Sequence, residues 1–177
     1  MIIAITGTPG SGKTYVAEKI EKAAKGRLEL LDLNKYIKDK KLYSSYDRTA
    51  QTYDVDTISL NKKVAPMLKK FHSNNKTFDR LSGKNLKLTE LIAIISKLSK
   101  EKKEKGLNGV IVDSHLSHYL DCDYCIVVRS DIKKINKRLK ARKYPAKKIE
   151  DNIQSEIFEI CLDEARNAGH KIILINN

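Results

Sequence analysis

GTPGSGKTY, residues 7–15, stands directly behind the apolar run MIIAI, residues 1–5. That run is short, β-branched and closed by a glycine, which predicts a strand buried on both faces. After it, KTYVAEKIEKAAKG brings Val16, Ala17, Ile20, Ala23 and Ala24 to one helical face and stops at Gly26. A glycine-rich turn between a buried strand and an amphipathic helix satisfies GxxxxGK[ST] in full. Gly7, Gly10 and Gly12 allow the backbone to wrap closely, and the helix N-terminus adds partial positive charge. The turn is therefore built for phosphate. Lys13 is placed to bridge the β- and γ-phosphates of a nucleoside triphosphate, and the Thr14 hydroxyl to ligate Mg²⁺.

Such a loop needs a carboxylate near the metal, usually at the end of a neighbouring strand. GVIVDSH, residues 109–115, supplies one, because strand alternation puts Asp113 and His115 on the same side. Asp113 is expected to bind Mg²⁺ through water, and His115 to orient a water or a phosphate oxygen. The bland alternatives are a turn cap and a surface imidazole. In RLKAR, Arg138 and Arg142 lie four apart with Leu139 turned inward, so two guanidiniums share one face. They suit a phosphoryl clamp, although basic residues at a helix end also complement its dipole. An NKxD tetrapeptide is absent, which disfavours a switch GTPase. A nucleoside monophosphate acceptor would bring its own anionic nucleophile, leaving positioning and charge stabilisation as the protein's task.

Along the rest of the chain, RLELLDL, GVIVD, YCIVV and HKIILI read as further strands, and NKYIKDKKLY as a short polar helix. SSYDRTAQTYDVD has no sustained period and reads as a loop. TISLNKKVAPMLKKF predicts a helix that Pro66 ends or kinks. HSNNKTFDRLSGKN reads as a flexible excursion, followed by TELIAIISKLSKEKKEKG with Leu91, Ile92, Ile94, Ile95 and Leu98 on one face and a charged tail. DIKKINKRLKAR turns Ile132, Ile135 and Leu139 inward, and AKKIEDNIQSEIFEICLDEA predicts one long helix with Ile149, Ile153, Ile157 and Cys161 at spacing four. Alternating strands and helices imply an α/β fold with about five parallel strands and helices on both faces.

The 177 residues suit a single domain, and 41% hydrophobic content supports a buried core. The chain has no apolar run of membrane-spanning length, and its apolar start has no basic lead, so the reading is soluble, with no membrane partner. Three cysteines, an odd count, argue for a reducing compartment. Cys122 and Cys125 form a lone CxxC, read either as small buried thiols or as a redox or metal pair. A net charge of +13, from 35 Lys and Arg against 22 Asp and Glu, suits polyanionic partners including RNA. Equally, lysine-rich composition occurs as a proteome-wide habit.

GTPGSGKT, LYSSYD with VD a few residues on, VDSH, and above all RLKARKYPAKKIEDNIQSEIFEICLDEA together resemble the coilin-interacting nuclear ATPase family, the atypical adenylate kinases of eukaryotic nuclei and archaea. The likeness covers about four fifths of the chain. It implies a P-loop NTPase, adenylate kinase-like domain over residues 1–177, with residues 32–55 as the monophosphate-binding region and 141–151 as a short lid. It also implies ATP:AMP phosphotransfer with Mg²⁺, a side ATPase, and a role in small-subunit ribosome maturation with a platform ribosomal protein and contact with ribosomal RNA. Cytoplasmic, archaeal-type localisation follows from the same likeness. Gly10, Gly12, Lys13, Thr14, Tyr15 and Arg142 then fall to ATP, and Lys38, Asp47 and Arg48 to AMP. Lys13, Asp113, His115, Arg138 and Arg142 form the catalytic set, and Thr14 and Asp113 the metal set. The sequence departs from the family at Lys38, where many relatives carry arginine, at Lys143, where glycine is usual, and at 71–105, an insertion in place of a shorter connection. That insertion reads as a surface decoration or a partner-binding element. The rival functions are a ribosome-assembly ATPase with little phosphotransfer, or a kinase of small metabolites or polynucleotides.

Overall fold

The computed structural model describes residues 1–101 and 107–177. Its framework is β1 (Ile2–Thr6), α1 (Lys13–Ala24), β2 (Leu28–Asp32) and α2 (Leu33–Asp39), then a hairpin of β3 (Ser45–Asp47) and β4 (Thr52–Asp54). There follow α3 (Thr57–Leu68), α4 (Lys76–Leu81), β5 (Asn85–Lys87), α5 (Leu88–Leu98), β6 (Gly109–Asp113) and β7 (Tyr124–Arg129). The chain continues through α6 (Ile132–Ala141), α7 (Ala146–Ile157), α8 (Ile160–Asn167) and β8 (Ile172–Asn176). The main sheet has six parallel strands in the order β2-β6-β1-β7-β8-β5.

β1 is central, with every side chain buried. Its pleat sends Ile3 and Ile5 into one apolar layer with α1, α4 and α5. Ile2 goes the opposite way to α2 and α3, and Ala4 to α8. This two-sided burial is why the strand reads as a continuous hydrophobic run. β1 pairs with β6 on one side and β7 on the other, and its register with β6 puts Asp113 level with Ile5 at the strand ends. The phosphate loop leaves from the same edge.

Four expectations change. The sheet has a sixth strand, β5, whose three residues are too few and too polar to show a period; it is held by parallel pairing of Asn85, Leu86 and Lys87 with Leu174, Ile175 and Asn176. The excursion expected over residues 72–85 is ordered: the Asn75 side chain accepts hydrogen bonds from the amides of Thr77 and Phe78 to start α4, and Phe78 and Leu81 enter the core with Leu91, Ile95 and Leu98. Residues 76–98 are thus a layer of the core rather than decoration, and the end of the expected charged tail, 102–106, lies outside the described residues. The expected loop at 44–56 contains the hairpin, turned where Asp47 Oδ1 accepts from the amides of Thr49 and Ala50 at 2.7 and 2.9 Å.

The long helix expected over 146–165 is broken. Each step of four residues rotates a helical stripe by about 40°, so a run at spacing four winds off one face within three steps. Ile149 is buried accordingly, while Ile157 is exposed and α7 ends there. Glu159 takes φ 54° before α8, its carboxylate paired with Arg129 at 2.6 Å. By contrast α3 runs through Pro66 to Leu68 and ends in a 3-10 turn, two residues past a proline whose ring nitrogen has no hydrogen to give the Lys62 carbonyl. The CxxC thiols are built into the fold: Cys125 is buried in β7, and burial pushes the Cys122 thiol up to about 12. None of the described helices is long and apolar enough to cross a membrane.

Two stability predictions follow from these contacts. Phe78 is fully buried, so Phe78→Ala should cost about 3–5 kcal/mol in urea unfolding, whereas a change in a surface decoration would cost under about 0.5. Lys143 holds φ 57° after α6, a conformation that disfavours a Cβ by roughly 1–2 kcal/mol; Lys143→Gly should therefore stabilise by about 0.5–1 kcal/mol after the entropy of glycine is counted. A lower midpoint for Lys143→Gly would show that this backbone strain is compensated elsewhere.

Candidate active site

The phosphate loop is shaped by backbone that only glycine tolerates. Gly7 has φ 138°, and a Cβ there would sit 2.2 Å from the Val128 carbonyl oxygen of the neighbouring strand. Gly12 has φ 99° and caps α1. Lys13 opens that helix and folds inward, its ammonium donating to the Thr8 carbonyl at 3.2 Å. Burial lowers its pKa to about 8, against the opposing pull of Asp113. The site therefore holds a cation short of solvation, which a phosphate would relieve.

Thr14 donates its hydroxyl proton to Asp113 Oδ2 at 2.7 Å. Asp113 Oδ1 is buried and has no partner among the described residues. Burial raises the pKa of this carboxyl, opposed by the Thr14 bond and the Lys13 charge. A hydroxyl beside a carboxylate with one orphaned oxygen is a hard-oxygen donor set, and it fits Mg²⁺. His115 follows two residues later on the cleft wall. Burial first, then the positive charges of Lys13 and Lys148, push its pKa down to about 4, so the imidazole is neutral at pH 7.

Arg138 and Arg142 both line the cleft, yet they do different things. The Arg138 guanidinium donates from Nη1 to the carbonyls of Gly10 at 2.9 Å and Ser11 at 3.2 Å, and to the Ser130 hydroxyl at 3.3 Å. The expected phosphoryl clamp is therefore, at Arg138, a brace on the loop. Asn177 adds a second, its side-chain amide donating to the Ser11 carbonyl at 2.9 Å. Because a peptide plane is trans, fixing the Ser11 carbonyl also fixes the Gly12 amide in the opposite direction. Arg142 and Tyr15 are exposed at the cleft wall, with the Lys19 ammonium 5.3 Å from the Tyr15 ring centre.

The opposite wall comes from α2 and the β3–β4 hairpin. Lys38 and Asp47 reach the cleft, but Arg48 sits on the exposed turn and does not line it. Both remaining groups are engaged: the Lys38 ammonium lies 5.3 Å from the Tyr53 ring centre, and Asp47 closes its turn. Sequence reading missed Tyr46, Tyr53 and Asn34, which line the same wall. It also missed Lys148, which joins α7 to the hairpin by donating to the Gln51 carbonyl at 2.8 Å. At the floor, His118 bridges Thr6 Oγ1 at 2.7 Å and Glu164 Oε2 at 3.0 Å, and the Tyr119 hydroxyl donates to Glu164 Oε1 at 2.8 Å. The repeat of histidine at spacing three in SHLSH was the available signal for His118. Together these walls enclose about 1350 Å³.

Residues 3–159 match the family model described as "AAA domain". A Methanocaldococcus jannaschii protein named "Putative adenylate kinase" is 33% identical over 99% of this chain and 78% of its own length. A Schizosaccharomyces pombe protein named "Adenylate kinase isoenzyme 6 homolog" is 30% identical over 98% of this chain and 78% of its own. A solved deoxyadenosine kinase from M. mycoides aligns with 99% of this chain and 90% of that one at 14% identity and a TM-score of 0.44, a level that leaves substrate undecided. A phosphate loop on a parallel sheet and relatives aligned over nearly the whole chain agree: this is a kinase of the P-loop NTPase fold, and it belongs to the AAA-domain family, among the atypical adenylate kinases.

Proposed function

We propose that this protein transfers the γ-phosphoryl group of ATP to AMP, giving two ADP, with Mg²⁺ and a slower hydrolysis of ATP. One observation carries the reading: the Lys13, Thr14 and Asp113 cluster opens into a cleft of about 1350 Å³, larger than the roughly 300–1,000 Å³ of a single-ligand pocket, and its far wall is aromatic and basic. Two nucleotides fit the shape and the charge. The names of the relatives support the same activity.

In the reaction an oxygen of the AMP phosphate forms a bond to the γ-phosphorus while the bond from the γ-phosphorus to the β,γ-bridging oxygen breaks, and that electron pair leaves with ADP. The acceptor oxygen is already anionic near neutral pH, so the transfer itself calls for no protein base. Lys13 balances the phosphate charge, and Gly10 and Gly12 bring the loop backbone close. Arg138 and Asn177 hold the loop in shape, and Arg142 and Tyr15 lie on the ATP side of the cleft. Thr14 and, through water, Asp113 would hold Mg²⁺, which would supply positive charge to offset that of the triphosphate. His115, kept neutral, can accept or donate a hydrogen bond to water, which suits it to the hydrolytic side reaction.

The resemblance to the coilin-interacting nuclear ATPases extends the proposal to maturation of the small ribosomal subunit in the cytoplasm, with a platform ribosomal protein as partner. The charge of +13 favours contact with ribosomal RNA and keeps a second reading in play, an assembly ATPase that transfers little to AMP.

Measuring ADP formed from ATP and Mg²⁺, with and without AMP, separates the two. Strong dependence on AMP is expected, together with a loss of at least about a hundredfold in Lys13→Ala. Hydrolysis indifferent to AMP and raised by the ribosomal protein would establish the assembly ATPase. The pH dependence has a definite sign: Lys13 is charged below its lowered pKa of about 8 and neutral above it. ATP affinity should therefore be level near pH 7 and weaken above pH 8, by up to about tenfold per unit. Equal affinity at pH 7 and pH 9.5 would remove Lys13 from the phosphate site.

A further inference from the structure

Transfer between two nucleotides concentrates negative charge in the middle of the cleft, between the γ-phosphoryl group of the donor and the phosphate of the acceptor. The cations already described stand on the phosphate-loop side. Lys13 opens α1, Arg138 spends its guanidinium on the Gly10 and Ser11 carbonyls, and Arg142 caps α6. The space between the two walls calls for a cation of its own.

Lys148 supplies one. It leaves the first turn of α7, lines the cleft, and donates to the Gln51 carbonyl of the hairpin at 2.8 Å, so its side chain crosses from one wall to the other. Its ammonium also lies 4.4 Å from the centre of the Tyr144 ring. Both of these partners are neutral. Lys147 beside it makes the contrast: that ammonium is 3.0 Å from Asp151 and 3.9 Å from Glu150. Lys148 forms no ion pair among the described residues. Burial lowers its pKa from the usual lysine range, against the pull of Asp47 on the facing wall, so the ammonium is partly stripped of water without gaining a counter-ion. Its charge is felt on the floor as well, since His115, lowered first by burial and next by Lys13, responds to Lys148 too. α7 itself begins with no side-chain cap and no acid in its first turn, which leaves its own positive end uncompensated on the same wall.

We infer that Lys148 is a further catalytic residue, which exchanges the Gln51 carbonyl for phosphate oxygens and holds the γ-phosphoryl group as it passes between the nucleotides. The inference rests on the proposed transfer and adds to it a cation supplied from α7. Lys148 keeps its proton and only donates hydrogen bonds; the bond formed and the bond broken are those of the transfer itself. A group that meets the phosphoryl between donor and acceptor acts on the rate of the chemical step rather than on the binding of either nucleotide.

The test is single-turnover transfer to radiolabelled AMP at saturating ATP and Mg²⁺, with steady-state KM values for both nucleotides, in the wild type, Lys148→Met and Lys148→Arg. Lys148→Met keeps the length and drops the charge; it should slow transfer roughly a hundredfold while both KM values hold within about threefold. Lys148→Arg keeps a cation able to bind phosphate and should lose under about tenfold. An unchanged single-turnover rate in Lys148→Met overturns the assignment. So does a rise in both KM values with the rate intact, which would make Lys148 only a tie between α7 and the hairpin, and so does a loss in Lys148→Arg as large as in Lys148→Met. If the wild type transfers nothing to AMP, the kinase reading fails by itself. Single-turnover hydrolysis of ATP in the same variants then decides Lys148 separately, a roughly hundredfold loss in Lys148→Met supporting it and an equal rate overturning it.

Discussion

The hydrogen bond from the Thr14 hydroxyl to Asp113 spans two elements that are far apart in sequence and adjacent in the sheet. It exists because β1 lies directly beside β6, in a register that ends Ile5 and Asp113 together. A slip of one residue would turn Asp113 to the opposite face and into an apolar layer. Register is held by burial on both faces of β1 and β6, where each alternate side chain already has its own layer of helices. The chemistry of the cleft is thus a consequence of strand packing, and the apolar run at the start of the chain is as much a part of the site as the glycines after it.

The same burial sets the electrostatics. Lys13 is pulled below its usual range and Asp113 is pushed above its own, each because desolvation penalises its charge. Their attraction offsets this only in part. His115 sits in the same field and stays neutral, first because burial penalises its charge and then because Lys13 would repel it. A nucleotide phosphate reverses the balance at Lys13, which is the group most in need of an anion. The free protein is arranged around a charge deficit that its substrate corrects, and this is one form of preorganisation.

What could be read from sequence was whatever had a strong local cause. The loop of residues 7–14 was legible because its chemistry demands particular residues at particular spacing, and β1, β6, β7 and β8 because continuous β-branched runs have few other homes. β5 was invisible: three residues held by pairing with β8, a partner nearly ninety positions on, leave no local period. The hairpin was hidden for a similar reason, since its turn depends on one aspartate and its strands on tyrosine packing. The broken helix after Ile157 misled in the opposite direction, because a repeat of four resembles a helical period without being one. Arg138 shows the limit most sharply. Its helical face was legible, but whether a guanidinium on that face meets substrate or backbone depends on where the loop carbonyls point.

That distinction changes how the site is organised. A loop of glycines has high conformational freedom, and amides that must face a phosphate need something to hold the carbonyls of the same peptide planes on the other side. Arg138, Ser130 and Asn177 supply that hold from α6, from the end of β7 and from the end of β8. Glu156 on α7 joins the same cluster by accepting the Ser130 amide proton at 3.0 Å. The elements that frame the phosphate-loop side of the cleft are therefore the ones that stiffen that loop, so a shift of α6 or α7 would be felt at the loop amides through hydrogen bonds.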